Sequence, residues 1–167
     1  MSSGHCEYET RRLTIGEWNL EDSQLDGFVQ ELLSPTVTAE LPEHWQGAYS
    51  NERARQWIQE QDAESTVLLV QKLSREPAGL LILYPDERTV RIGYMLSEDH
   101  WGQGLATELI SAFVDWCHNS DSFDEVVAGV GASNLASVRV LEKCGFVATG
   151  TQLGANIELV RSLTDWN

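Results

Sequence analysis

Met95-Leu96-Ser97-Glu98-Asp99-His100-Trp101-Gly102-Gln103-Gly104-Leu105-Ala106-Thr107 is the stretch whose reading decides the fold. An apolar run, Val90 to Leu96, enters it as a strand, and a helix leaves it. Gly102 and Gly104 have no side chains, so a ligand can approach the backbone there. The first N–H groups of the helix have no partner inside it, and the helix dipole favours an anion at that end. The stretch therefore reads as a phosphate cradle built from backbone. A plain strand-to-helix turn packed close at Gly104 is the alternative. The dinucleotide pattern G-x-G-x-x-G fails, because Thr107 stands where its third glycine belongs. The P-loop pattern fails because no Lys-Ser/Thr follows.

Upstream of this stretch, Arg12 to Trp18 reads as a first strand behind a polar tail, residues 1–10. Leu25, Phe28, Val29, Leu32 and Leu33 fall at helical spacing, which predicts a helix over Asp22 to Leu33 with Asp22 or Ser23 as its cap. Ser34 to Ser50 reads as a long irregular segment, in which Trp45 and Tyr49 are first of all core cover. Ser50 caps a helix over Asn51 to Gln61. Thr66 to Lys72, Ala78 to Tyr84 and Arg88 to Leu96 form an antiparallel meander.

Downstream, the helix Gln103 to His118 carries a wide apolar band. Asp124 to Val130 is a β-branched strand, and strand–helix–strand implies a parallel neighbour. A helix over Leu135 to Cys144 stops at Gly145, a left-handed capping position. Phe146 to Thr151 and Asn156 to Leu163 close the chain as a hairpin around Gly154. One mixed, layered α/β domain over residues 1–167 accounts for this order.

The formal net charge is -15, which opposes non-specific nucleic-acid binding and favours cationic partners such as amines or basic peptides. It equally serves solubility. No apolar run is long enough to span a membrane, and no signal-peptide pattern opens the chain. The 3 cysteines, Cys6, Cys117 and Cys144, suit reduced thiols in a cytoplasm, and none has zinc-ligand spacing.

Trp101, Gly104 and Ala106 resemble the pyrophosphate loop of the GNAT N-acetyltransferases, Gln/Arg-x-x-Gly-x-Gly/Ala. Trp101 at the Gln/Arg place is similar to the Rim-type branch, whose known members acetylate the N-terminal amines of ribosomal proteins. A second motif agrees: Asn134-Leu135-Ala136-Ser137-Val138-Arg139-Val140-Leu141-Glu142-Lys143-Cys144-Gly145-Phe146. The resemblance implies a mostly antiparallel sheet of about six to seven strands, splayed in the middle and flanked by about four helices. It implies acetyl-CoA as cosubstrate, no metal, and direct attack by an amine on the thioester, the acceptor being a peptide N-terminus or a small cationic molecule. A bulge near Tyr94 to Leu96 is expected to open the sheet.

On this resemblance, backbone groups of Met95 and Leu96 bond the pantetheine arm, and the Leu96 N–H polarises the thioester oxygen. The pyrophosphate rests on Gly102, Gln103, Gly104, Leu105, Ala106 and Thr107, beside Trp101. Asn134 holds the arm or caps its helix. Ser137 donates a proton to the leaving thiolate, or is an ordinary first-turn hydroxyl. Glu40, Glu43, His44, Asp86, Glu98, His100 and Glu158 are the candidates by region for the base, His100 fitting phosphate contact better. Arg139 and Lys143 are candidates for the 3′-phosphate of CoA, or exposed helix charges. The competing function is a non-catalytic acyl-CoA-binding module, and the chain is a monomer or a homodimer.

Overall fold

Alternation along the strands sorts the apolar residues onto two faces of one sheet. Leu68, Val70, Leu81, Leu83, Val90 and Ile92 point to one side, where they meet Leu105, Leu109, Phe113 and Leu141. Val67, Leu80, Ile82 and Met95 point to the other, where they meet Leu25, Val29, Leu32, Ala54, Trp57 and Ile58. Both faces are covered, so the central strands are apolar almost throughout.

A computed structural model describes residues 6–39, 41 and 43–164, the side chains of His44 and Leu153 excepted. In chain order the elements are β1 Tyr8–Glu9, β2 Leu13–Glu17, α1 Leu25–Leu32, α2 Pro35–Thr38, α3 Asn51–Glu64, β3 Thr66–Lys72, β4 Pro77–Asp86, β5 Thr89–Leu96, α4 Leu105–Ser120, β6 Glu125–Gly131, α5 Leu135–Lys143, β7 Val147–Leu153 and β8 Asn156–Ser162. The strands form an 8-stranded sheet in the order β1-β2-β3-β4-β5-β6-β8-β7. Only β5 and β6 pair in parallel among the described residues, joined through α4.

The expected mixed, mostly antiparallel sheet is present, with eight strands and five α-helices among the described residues where about six to seven and about four were expected. Part of the difference lies in the expected tail. Cys6 is buried, Tyr8 and Glu9 pair with Ile15 and Thr14, and the Tyr8 hydroxyl donates to the Leu109 carbonyl. The segment 34–50 is also less irregular than its composition suggests. Ser34 caps α2 over Pro35, and Glu43–Trp45 form a 3₁₀ turn. Helix α1 starts later than expected, at Leu25, after the Asp22 carboxylate accepts the Gln24 N–H at 2.9 Å.

Helix α5 ends as its glycine requires. Gly145 has φ +88°, its N–H donates to Glu142, and the Phe146 N–H donates to Leu141, both at 3.0 Å. This Schellman closure turns Phe146 back under Leu141 in the core.

Gly79 on β4 lies under the Met95 carbonyl; a Cβ there would stand 2.2 Å from that oxygen. Backbone in a central ladder cannot yield as a side chain can. Gly79→Ala is expected to cost about 1–3 kcal/mol, which at roughly 2–4 °C per kcal/mol lowers the midpoint of a thermal melt by several degrees. An unchanged melt would mean the strand shifts freely at this point.

Candidate active site

Strands β5 and β6 are in register only from Thr89–Glu125 to Ile92–Ala128. Beyond that they part. β5 runs on against β4 to Leu96, and β6 runs on against β8 to Gly131. The expected bulge is not the cause, because β4 and β5 stay in register without a shift from Asp86–Thr89 to Gly79–Leu96. The opening comes from each strand keeping its outer partner.

The register assigns the backbone groups in the gap. The Ser97 N–H bonds the Ala78 carbonyl at 2.8 Å, which makes Leu96–Gly79 a non-hydrogen-bonded pair. The N–H and C=O of Leu96, and by alternation those of Tyr94, therefore point away from β4 into the gap. Those of Met95 point to β4, as its carbonyl over Gly79 also shows. The backbone groups of Met95, expected to face the gap, do not; those that do belong to Tyr94 and Leu96. The Trp101 indole donates to the Leu96 carbonyl at 2.8 Å, which leaves the Leu96 N–H as the donor facing the opening.

The cradle lies just beyond. Gly102 and Gly104 have φ +72° and +78°, in the left-handed region. A Cβ on Gly102 would meet nothing within 4 Å. Gly104 is the N-cap of α4, which starts at Leu105, two residues later than expected, and no side chain caps this end. The N–H groups of Leu105, Ala106 and Thr107 therefore open toward the loop. Trp101, Gly102, Gln103 and Gly104 are exposed.

A cation that sequence reading missed stands beside the loop. Arg12 Nη1 donates to the Gln103 carbonyl at 2.9 Å, and its Nη2 is 3.6 Å from where a Gly104 Cβ would be. Glu108 holds it. Arg12 Nε meets Oε1 at 2.8 Å, the Arg12 N–H meets Oε2 at 2.9 Å, and the Thr10 hydroxyl donates to Oε2 at 2.5 Å. Burial works to raise the Glu108 pKa, but the bonds from Thr10 and Arg12 outweigh it and hold the carboxyl below its ordinary value.

Helix α5 brings the second motif to the same opening. Asn134 is its N-cap, accepting the Ser137 N–H at 3.3 Å through Oδ1. The Ser137 hydroxyl does not bond its own helix. It lies 2.6 Å from the hydroxyl of Tyr94, a residue the sequence reading had used only to mark a bulge.

The other expectations scatter. His100 is buried, with Nε2 4.0 Å from a Glu76 carboxylate oxygen rather than at the cradle. Asp86 pairs with Thr89, at the end of β5 away from the opening. Glu43 and Glu98 are exposed in 3₁₀ turns. Glu158 sits opposite Gly129, just past the last β5–β6 pair, bonded by Arg91 at 3.1 Å and by the Thr149 hydroxyl at 3.3 Å. Glu40 and the His44 side chain lie outside the described residues. Arg139 and Lys143 are exposed. Trp45 is core cover as read; its ring lies over Gly93, where a Cβ would come within 2.6 Å, while Tyr49 is exposed and donates to Glu31. Among the described residues no cluster of three or more His, Cys, Asp or Glu could hold a metal ion. No described helix is long and apolar enough to cross a membrane.

The family model described as an acetyltransferase (GNAT) domain matches residues 12–147, and the chain belongs to that family. It is 41% identical over 63 residues to the probable N-acetyltransferase YjcK of Bacillus subtilis, a match covering 38% of this chain and 35% of that protein. The uncharacterized N-acetyltransferase p20 of Bacillus licheniformis is 26% identical over 157 residues, covering 84% of this chain and 82% of that one. The chain thus aligns with about a third of the length of YjcK and with most of p20.

Among solved structures, a GNAT-family acetyltransferase from Bacillus anthracis superposes with TM-score 0.80 at 20% identity, covering 96% of this chain and 100% of that one. The ribosomal-protein-S5-alanine acetyltransferase of Vibrio fischeri gives 0.71 at 16%, covering 97% and 99%. The spermidine N-acetyltransferase of Vibrio cholerae, solved with CoA and spermine, gives 0.71 at 18%, covering 91% and 96%. At these identities the likeness shows the fold.

Gly104→Val places a β-branched side chain at φ +78°, over the helix N-terminus. CoA affinity measured by calorimetry is expected to fall at least about tenfold, the loss of roughly one charge-assisted contact; unchanged affinity would remove the cradle. For Glu108, the folded carboxyl is the stronger acid. Its stabilisation is therefore full above the unfolded value of about 4.3 and is lost as pH falls through the folded one. The stability gap between wild type and Glu108→Gln in urea unfolding should hold steady above about pH 5 and shrink below about pH 4. A gap independent of pH would show that the charge of Glu108 contributes nothing.

Proposed function

We propose that this chain moves an acetyl group from acetyl-CoA to a primary amine, directly and without a covalent enzyme intermediate. The observation that carries the proposal is the Leu96 N–H, turned into the gap between β5 and β6 within one loop of the open N-terminus of α4. A pantetheine arm would enter the gap as an added strand, bonding Tyr94 and Leu96. The pyrophosphate would lie on the N–H groups of Gly102 to Thr107, with Arg12 at its side. The Leu96 N–H would bond the thioester oxygen as charge develops on it.

The acceptor nitrogen forms the amide bond as the carbon–sulfur bond breaks. Ser137 gives its hydroxyl proton to the departing thiolate, and Asn134 both caps α5 and offers its amide Nδ2 to the arm. Glu158 is a carboxylate at the level of the fork, and its bonds to Arg91 and Thr149 fix it there. We assign it to attraction of the acceptor ammonium, with water carrying the proton away.

The net charge of -15 supports a cationic acceptor, either a peptide N-terminus or a polyamine-like molecule. Trp101 in its loop supports the Rim-type branch. The similar Vibrio proteins are named for one acceptor of each kind. Three free, buried cysteines support a reducing cytoplasm.

Thiol release from acetyl-CoA, read against basic N-terminal peptides, polyamines and aminoglycosides, tests the proposal. Turnover on one class is the expected result and names the acceptor. Failure to bind CoA in parallel calorimetry would overturn the proposal outright.

A further inference from the structure

Tyr94 leaves β5 on the face of the sheet that α4 and α5 cover, two residues before Leu96, and its ring packs against the core there. Its hydroxyl reaches the first turn of α5 and lies 2.6 Å from Ser137 Oγ, within the normal range for two hydroxyls. The bond crosses the opening that the parting of β5 and β6 creates. Neither motif in the sequence contains both residues.

A hydroxyl carries one hydrogen. If Ser137 donated to Tyr94, that hydrogen would be committed and Ser137 could give nothing to sulfur. If Tyr94 donates, Ser137 Oγ is held by an incoming bond and its own hydrogen stays available. The tyrosine stays protonated in this site, because burial pushes its pKa up to about 12, the bond to Ser137 acting the other way. Asn134 fixes the Ser137 main chain at the same time.

We propose that Tyr94 is the positioning residue for acetyl transfer: its hydroxyl donates to Ser137 Oγ, which frees the Ser137 hydrogen for the leaving thiolate. The inference rests on the function proposed above. In the step itself the Ser137 O–H bond breaks and an S–H bond forms. The proton that the acceptor nitrogen gives up on becoming an amide restores the Ser137 hydroxyl through water. Tyr94 lends its hydrogen bond to the oxygen while that oxygen is poor in protons. Serine alone is a weak acid, and a phenol behind it eases the charge that its oxygen acquires.

The test uses the full chain as wild type, Tyr94→Phe, Ser137→Ala and the double variant. It reads kcat and KM on the amine found above, and CoA affinity by calorimetry. Tyr94→Phe removes one oxygen and keeps the ring in place. It is expected to lower kcat by about tenfold or more while KM and CoA affinity hold within about twofold, and Ser137→Ala to lower kcat by about a hundredfold. The double variant should be no slower than Ser137→Ala, because the two hydroxyls act as a unit.

Unchanged kcat in Tyr94→Phe overturns the proposal, as does a double variant whose loss is the product of the single losses. A fall in CoA affinity matching the fall in kcat also overturns it, since that marks a packing role. If Tyr94→Phe does not fold, fluorotyrosine at position 94 keeps the shape and changes only the acidity of the phenol; kcat should then follow that acidity, and a flat response overturns the proposal. Wild-type protein with no turnover on any amine removes both proposals, whereas turnover indifferent to Tyr94 removes this one alone.

Discussion

The pairing of β5 with β6 stops after Ile92–Ala128, and the site depends on that stop. Unpaired backbone groups inside a sheet are costly, so two neighbouring strands do not part without support. Here each strand is supported from outside. β4 holds β5 to Leu96, and β8 holds β6 to Gly131. Small residues mark the fork on one side of the sheet. Gly93 admits the Trp45 ring, and Gly129 lies beside the Arg91 guanidinium, 3.8 Å from a would-be Cβ. On the other side Tyr94 bridges to α5. What remains in the gap is a short row of backbone groups without a strand partner.

Two helices begin at this opening, and they are finished differently. α5 is capped by its own Asn134. α4 begins at a left-handed glycine with no side-chain cap. A capped N-terminus has answered part of its demand for an acceptor, while an uncapped one keeps it. The contrast separates the roles: α5 presents side chains, Ser137 and Asn134, and α4 presents backbone. Trp101 links the two regions by tying the loop before α4 to the Leu96 carbonyl at the fork.

Much of this was legible in the sequence where a local rule decides it. The glycines of the cradle, the stop at Gly145 and the Ser50 cap each depend on a residue and its immediate neighbours. The meander and the crossover followed from alternation and order. What was not legible depends on which residues meet across the fold. Met95 and Leu96 look alike in sequence, and only the register with Gly79 and Leu80 shows which faces the gap. Tyr94 and Ser137 are 43 positions apart, and Arg12 and Glu108 are 96 apart. No pattern of spacing joins them. The short edge strand at Tyr8–Glu9 escaped because its residues look like a polar tail until β2 pairs with them.

The charge balance sharpens one of these pairs. A chain of net charge -15 is a poor host for a pyrophosphate unless the acidic groups near it are restrained. Glu108 stands in the first turn of α4, where the dipole attracts a carboxylate just as it attracts a phosphate. Left free, it would compete for the open N–H groups or repel the ligand. Three bonds from Thr10 and Arg12 draw it toward the start of β2 instead. The guanidinium that restrains it also holds the Gln103 carbonyl, which keeps that oxygen from turning into the cradle. The Arg12 guanidinium, just before β2, thus helps hold one carboxylate and one carbonyl oxygen at the mouth of α4 and leaves a cation at its edge.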